Sequence, residues 1–490
     1  MMKLMPKQVT ISPIGNSVYV IRTLATTEQV YETIKRSKKA FLSWKKVSVK
    51  ERVNIVSKFV DAFVAKKDDI AKEITMQMGS EVNSTAERAR YMISIAEENL
   101  KDVEIIDDNP SFHRFIRKEP LGPILIIAAW NYPYLVSVNS VITAILAGNT
   151  VILKQSPHTP LCAERFEEAF KEAGLPENVI QILHMSNSDT ENVIKHPDIA
   201  HVNFTGSVKT GMEVLKSASS KFMGIGLELG GKDPAYVRHD ADLEYTVEQL
   251  VDGSFFNSGQ SCCAIERIYV HEQVYDQFVE KFVELTKQYK LGNPLDPETT
   301  LGPMIRTSSA DFVRQQIEEA RAKPLINTEL FPEDKKNTPY MAPQVLVNVD
   351  HSMKVMKEES FGPVIGIMKV SSDKEAITLM NDSEFGLTAS IWTKDENSAL
   401  EIGNEIDTGT WFMNRCDYIE YLIFVYFLDL DPALAWVGTK NSGRGCTLSK
   451  FGFDYFTSRA CANELRLDKG TVNRHCDILG TFASFKFAVF

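Results

Sequence analysis

A cysteine and a carboxylate, each set among small residues, are the pair in this chain best suited to acyl chemistry. The run Asn257-Ser258-Gly259-Gln260-Ser261-Cys262-Cys263 follows Phe255 and Phe256. It leads into Ala264-Ile265-Glu266-Arg267-Ile268-Tyr269-Val270, which reads as a strand. Small and polar residues on a tight turn before a strand can hold a thiol at the mouth of a cleft. Thirty-four positions before Cys262 stands Glu228-Leu229-Gly230-Gly231-Lys232-Asp233-Pro234, a carboxylate followed by two glycines. Where a thiol and a carboxylate face one cleft, one attacks a carbonyl and the other moves protons or activates water. A free cysteine more often packs as a small, inert hydrophobe. The pair therefore needs support from the rest of the chain, and residue types alone do not separate Cys262 from Cys263.

Other short runs could serve the same cleft. Phe204-Thr205-Gly206-Ser207 precedes a helix, whose free amides and the Ser207 hydroxyl suit a pyrophosphate. Its plainer reading is a strand-to-helix turn, and the three-glycine dinucleotide fingerprint is absent after every expected strand. Lys154, just before Gln155-Ser156-Pro157, would face the same cleft, although a lone lysine is usually solvated. Asn131, in Trp130-Asn131-Tyr132-Pro133, could donate its amide to a developing oxyanion, a contribution of about 3 kcal/mol. As a bland alternative it is a turn asparagine. Glu358 and Glu359, before Ser360-Phe361-Gly362-Pro363, could reach a ribose or simply face solvent.

Parallel strands would bring these runs together. Four apolar runs, Ile124 to Ala128, Thr150 to Lys154, Val179 to Leu183 and Ala200 to Phe204, alternate with helical stretches from Tyr134 to Ala147 and from Thr159 to Ala173. Such alternation implies an α/β fold with a parallel sheet covered on both faces, binding ligands at the carboxyl ends of its strands. A second set follows Glu228, with helices near Ala241 to Val251 and Val274 to Lys290. Its expected strands are Arg267 to Val270, Val364 to Val370, Thr388 to Trp392 and Gly409 to Asn414. Gly230-Gly231 is the expected hinge between two α/β domains. Before Ser111 the chain reads as helical: Thr27 is the expected cap of a helix to about Lys46, Ser48-Val49-Lys50-Glu51 is a capping box, Gly79 ends the next helix, and another spans Glu81 to Leu100. Phe112 to Arg117 suits an exposed strand, a liability unless it pairs with a partner subunit.

Composition narrows the function. The 490 residues are 44% hydrophobic and 24% charged, ordinary globular make-up for roughly three domains. A net charge of −11 without any basic run argues against nucleic acid and anionic membranes as partners. Seven irregularly spaced cysteines suggest reduced thiols, and scattered histidines without a Cys-x-x-Cys pair suggest no metal site. Met1 to Lys7 lacks the pattern of a secretory signal, and the most apolar run is too short to span a bilayer. The expectation is a soluble, cytoplasmic protein.

Five of these motifs, in this order, resemble the NAD(P)-dependent aldehyde dehydrogenase superfamily: Trp130 to Pro133, Lys154, Phe204 to Ser207, Glu228 to Lys232 with Gly259 to Cys262, and Glu359 to Pro363. The likeness runs from about Thr27 to about Phe453, and parts are most similar to succinate-semialdehyde dehydrogenases. It implies a Rossmann-variant cofactor domain (1–107 and 122–229), an α/β catalytic domain (230–452) and a small β oligomerisation element (108–121 and 453–470). It further implies Cys262 as nucleophile, Glu228 as general base and Asn131, with the Cys262 backbone amide, as oxyanion donor. Trp130, Lys154, Ser156, Gly206, Ser207, Leu229, Glu359 and Phe361 would hold NAD+ or NADP+, and Tyr132, Phe256 and Trp436 would form an aromatic funnel for a small aldehyde. Where many NAD-preferring members carry a carboxylate three residues after the lysine, this chain has Pro157, so a 2′-phosphate is not repelled. Arg415 is the candidate to bind a substrate carboxylate, or a structural residue. A homodimer or homotetramer is implied.

Two segments depart from the family pattern. Ile419 to Leu430 interrupts the passage to Trp436, as an insertion at the substrate mouth or subunit contact, or as an exon-boundary error. Residues 471–490 match nothing familiar. Two competing readings are a cofactor-independent cysteine esterase, against which the ribose and pyrophosphate ligands argue, and a catalytically inactive homologue that keeps the fold.

Overall fold

The computed structural model describes residues 6–78, 83–106, 112–416 and 431–465. Gly79, the segment Ile419 to Leu430 and the tail 471–490 lie outside the described residues.

Apolar runs without alternation become strands buried on both faces: Pro123–Ala128 and Thr150–Gln155 are buried at every position. They sit in a six-stranded sheet ordered Gly443–Arg444, Gly224–Glu228, His201–Thr205, Pro123–Ala128, Thr150–Gln155, Ile180–Ile182. It is parallel except for Gly443–Arg444, which returns from late in the chain to pair antiparallel with Leu227 and Glu228. Strand order reverses between Pro123–Ala128 and His201–Thr205. At such a point the chain leaves the two strands in opposite directions and a crevice opens outside their carboxyl ends.

Leu229-Gly230-Gly231-Lys232 carries the chain from Gly224–Glu228 into Asp233–Val237 of a seven-stranded sheet. There Gln344–Val347, Val364–Val370, Ile265–His271, Asp233–Val237, Thr388–Trp392 and Thr410–Met413 run parallel, and the short Lys323–Pro324 pairs antiparallel at one edge. The α/β class expected from strand–helix alternation is the class adopted. Helices Pro133–Leu146 and Pro160–Glu172 each open on proline, tolerated where the first amides have no partner anyway. Phe59, Phe63, Tyr134, Phe166 and Phe170 pack together beside them, with Phe59 and Phe170 stacked at 3.8 Å.

Three expectations need correction. The first hundred residues are not purely helical: Lys7–Ser12 and Ser17–Thr23 form a hairpin, pinned to the main body by Thr10 Oγ1 donating to the Pro157 carbonyl at 2.7 Å. Its first strand does alternate, Gln8-Val9-Thr10-Ile11-Ser12, but with the apolar Val9 and Ile11 exposed and the polar Thr10 and Ser12 buried, the reverse of the usual pattern. The first helix, Thr27–Trp44, is capped by Thr26 and not Thr27, in a capping box with Gln29. Phe112–Pro120 is not left for a partner; it is the middle strand between Thr457–Leu465 and Val103–Ile105 of the same chain. Pairing with a segment more than 300 residues away leaves no local trace in sequence.

His201, on the strand beside the crevice, is buried against the rings of Tyr455 and Phe456, and neither ring nitrogen has a hydrogen-bond partner among the described residues. Burial pushes its pKa down to about 4. The unfolded chain takes up a proton near the ordinary 6.5 while the folded chain resists, so this stability is present above 6.5 and lost as pH falls toward 4. His201→Leu should remove up to about 2 kcal/mol of the stability loss between pH 7 and pH 5, read from urea denaturation at both pH values.

Candidate active site

The chemistry-bearing segments meet where the two sheets face each other. Trp130 and Asn131 follow the carboxyl end of Pro123–Ala128, Gly206 and Ser207 follow His201–Thr205, and Glu228 closes Gly224–Glu228. From the other side, Cys262 precedes the amino end of Ile265–His271, and Glu359 and Phe361 precede Val364–Val370. All of these, with Leu229, line one cavity of about 560 Å³.

The thiol loop is locked from within. Asn257, Ser258 and Gly259 all take positive φ (52°, 56° and 70°), a run that two non-glycine residues adopt only under restraint. Asn257 Nδ2 donates to the carbonyls of Asn131 and Gln260, at 3.2 and 3.3 Å, and Ser258 Oγ to that of Gly302 at 2.7 Å. The fully buried Gln260 side chain donates to the Asn257 carbonyl and accepts the Ile305 amide at 2.7 Å. Two glycines are required by close approach. A Cβ on Gly259 would lie 2.4 Å from the Gly362 carbonyl oxygen, and one on Gly231 would lie 2.0 Å from that of Cys262.

Glu228 is held by two hydroxyls, Thr447 Oγ1 at 2.8 Å and Thr205 Oγ1 at 3.2 Å. Burial raises its pKa above the ordinary carboxylate value, and the two hydroxyls and the charge of Arg88 oppose that rise. Asn131 Nδ2 spends one N–H on the Gln260 carbonyl at 3.3 Å, leaving its second.

A buried ion pair shapes the opposite wall. Lys232 Nζ lies 2.5 Å from Glu266 Oε2, with the side chains 0% and 3% exposed. Glu266 also accepts the amides of Ser360 at 2.8 Å and Phe361 at 2.9 Å, and Lys232 reaches Ser360 Oγ at 3.1 Å. This clasp holds Phe361 at φ 51° with its ring edge-on to Trp130, centroids 5.5 Å apart. Glu359, two residues before Phe361, accepts the Gly231 amide at 2.9 Å; burial, with the nearby Glu266 charge, pushes its pKa up to about 8.

Residues 5–460 match the family model described as the aldehyde dehydrogenase family. The chain belongs to the aldehyde dehydrogenase family. An aldehyde dehydrogenase of Paenarthrobacter nicotinovorans is 34% identical over 444 residues, covering 88% of this chain and 94% of the relative. The NAD(P)+ succinate semialdehyde dehydrogenase Sad of Escherichia coli is 32% identical over 458 residues, 91% of this chain and 96% of the relative. Among solved structures, an NADP-dependent glyceraldehyde-3-phosphate dehydrogenase from Bacillus halodurans in complex with NADP superposes with a TM-score of 0.86 at 30% identity, covering 94% of this chain and 96% of that one. The protein is an NAD(P)-dependent enzyme that oxidises aldehydes.

For an aldehyde dehydrogenase the donor set fits a dinucleotide. Ser207 caps helix Val208–Ala218, accepting the Thr210 amide at 3.4 Å, and the amides of Val208 and Lys209 have no partner among the described residues. These are the groups a pyrophosphate needs. Glu359 Oε2 likewise accepts no hydrogen bond among the described residues and is available to a ribose hydroxyl. Lys154, at the end of Thr150–Gln155, is buried without a counter-charge, and burial lowers its pKa. It does not line the cavity; nor does Ser156, whose Oγ accepts the His158 amide at 3.3 Å.

The three funnel aromatics also lie off this cavity. Tyr132 is in side-chain hydrogen-bond contact with Ser261 and Asn257, Phe256 opens the left-handed turn half-buried, and Trp436 is 7% exposed. The Trp436 backbone pairs with Thr447, the residue that holds Glu228. Arg415 packs over the Phe412 ring at 4.9 Å.

Sequence reasoning missed Arg306, Ser308, Ser309 and Phe312, which bring the start of helix Thr307–Ala320 to the cavity wall. They carry no motif and arrive by a long-range contact. Glu266 could have been found: a carboxylate inside a strand otherwise buried demands a partner. Lys232→Met, which strips Glu266 of its cation, should cost about 3–5 kcal/mol in urea denaturation. Adding Glu266→Leu should recover most of that stability while dinucleotide affinity stays weak, as titration of cofactor fluorescence would show.

Proposed function

We propose that Cys262, Glu228 and Asn131 carry the oxidation of an aldehyde to its carboxylic acid. The observation that supports this most is that a thiol, a half-buried carboxylate and an amide with one N–H unspent, reached from two loops and the end of a strand, line one cavity with the groups suited to pyrophosphate and ribose. The Cys262 thiolate adds to the aldehyde carbon, and the second N–H of Asn131 stabilises the oxyanion of the thiohemiacetal. Trp130, Ser207, Glu359 and Phe361, with Lys154 and Ser156, would hold NAD+ or NADP+, which when bound would supply the acceptor for the hydride lost as the thiohemiacetal becomes a thioester. Glu228 then takes a proton from water as it attacks the thioester, releasing the acid and the Cys262 thiol.

Semialdehydes such as succinate semialdehyde are the substrates we favour, on the named activity of the Escherichia coli relative. Pro157 leaves no carboxylate to repel a 2′-phosphate, in keeping with use of both cofactors. No disulfide joins the described cysteines, in keeping with a reducing, cytoplasmic setting. The open outer edges of Thr457–Leu465 and Val103–Ile105, with Val103 and Ile105 exposed, support a dimer or tetramer built by pairing between copies.

Cys262→Ala should abolish aldehyde-dependent reduction of NAD(P)+, whereas Cys263→Ala should retain it; full turnover in the Cys262 variant would refute the assignment. In Glu228→Gln, rapid mixing should show a burst of reduced cofactor followed by steady turnover slowed about 10²–10⁴-fold. A base works only when deprotonated, so wild-type kcat should fall with decreasing pH through a pKa above the ordinary carboxylate value. That acid limb should vanish from the residual activity of Glu228→Gln.

A further inference from the structure

Arg88 lies on helix Asn83–Asn99, packed against Pro133–Leu146, and only 9% of it is exposed. Among the described residues its guanidinium makes a single hydrogen bond, Nη1 donating to Asn139 Oδ1 at 3.3 Å, and its buried Nε has no partner. Among the described residues no carboxylate pairs with it. Buried arginines here differ in bonding: Arg267 donates to the carbonyls of Lys232, Leu379 and Met380 and to the Tyr269 hydroxyl, whereas Arg52, away from the cavity, donates to the Val47 carbonyl with its Nε unpartnered among the described residues. An under-bonded buried cation is costly, and the fold retains it only where something else repays the desolvation.

Its place suggests what does. The charge of Arg88 reaches Glu228, yet the oxygens of Glu228 bond Thr447 and Thr205. Arg88 does not line the dinucleotide cavity. Met92, one turn further along its helix, packs in the core cluster that contains Trp436 and against which Cys262 and Cys263 lie. Asn139 stands two helical turns from Tyr132, on the same face of Pro133–Leu146. The guanidinium is thus bonded to the helix that Tyr132 caps, on the face that carries Tyr132, and lines no part of the cavity that holds the proposed cofactor ligands.

We propose that Arg88 is the receptor for a substrate carboxylate, so that the enzyme takes short aldehydes carrying an anion at the far end, with the carboxylate on Arg88 and the carbonyl at Cys262. This rests on the reading of Cys262 as nucleophile. The planar fork of N–H donors matches a carboxylate in both geometry and charge, and a bound anion provides the counter-charge the fold omits.

Succinate semialdehyde and butanal, of equal chain length, differ in this group alone. Wild-type enzyme should prefer the former in kcat/KM, and Arg88→Gln should lower that preference about 100-fold, chiefly through KM. Arg88→Lys, which keeps the charge but not the fork, should fall between. Equal losses on both aldehydes, or a wild-type preference for butanal, would overturn the proposal and leave Arg88 a structural or electrostatic support for Glu228. Succinate alone should raise the Tm of the wild-type protein and not that of Arg88→Gln. If neither aldehyde is oxidised, the catalytic reading fails. The succinate shift then decides this proposal separately: its absence in wild type overturns the receptor, and its presence in wild type but not in the variant upholds it.

Discussion

The Lys232–Glu266 ion pair is the contact on which the site depends. Lys232 sits at the crossing between the two sheets, Glu266 on the strand that follows the thiol loop, and the amides they organise belong to the turn at residues 360 and 361. Three segments far apart in sequence are therefore tied by a few short bonds in a place where water cannot substitute. Two desolvated charges are expensive, and the cost is offset because Glu266 is bonded on both oxygens. The left-handed Phe361 and the contact of Gly231 with the Cys262 carbonyl become tolerable only inside that frame.

The opposed orientation of the sheets explains why the proposed reaction groups and the proposed cofactor ligands share a cavity. The first sheet offers the carboxyl ends of its strands and the loops after them, and the second the loops before its strands, so Asn131, Glu228, Cys262 and Glu359 all lie at or next to the end of a strand. Gly443–Arg444 closes the arrangement by returning to pair with Leu227 and Glu228 and bringing Thr447 to the Glu228 carboxylate. Rigid anchoring suits a site that must hold a thiol, an oxyanion donor and a base in fixed relation.

Burial also sets the electrostatics. Glu228 and Glu359 are both pushed toward the protonated state, Lys154 toward the neutral one, and Arg88 is left with little to bond. Such groups keep bonding capacity that the protein itself does not use. Ribose hydroxyls, phosphates and an anionic substrate would each complete one of them, so part of the cost of folding this cavity is returned on binding.

The five motifs and their order identified the family from sequence, and the continuous apolar strands revealed the α/β class, because both are local properties of residue type and spacing. Nine of the fourteen site residues singled out this way line the cavity; Lys154, Ser156, Tyr132, Phe256 and Trp436 stand off it. Local pattern could not show that Phe112–Pro120 pairs with Thr457–Leu465, that helix Thr307–Ala320 brings Arg306 to the wall, or that Arg88 is buried with one bond. Each of these depends on desolvation or pairing between segments distant in the chain. Residue type determined which groups could react; only tertiary packing decided which are dry, which are paired and which are left waiting for a ligand.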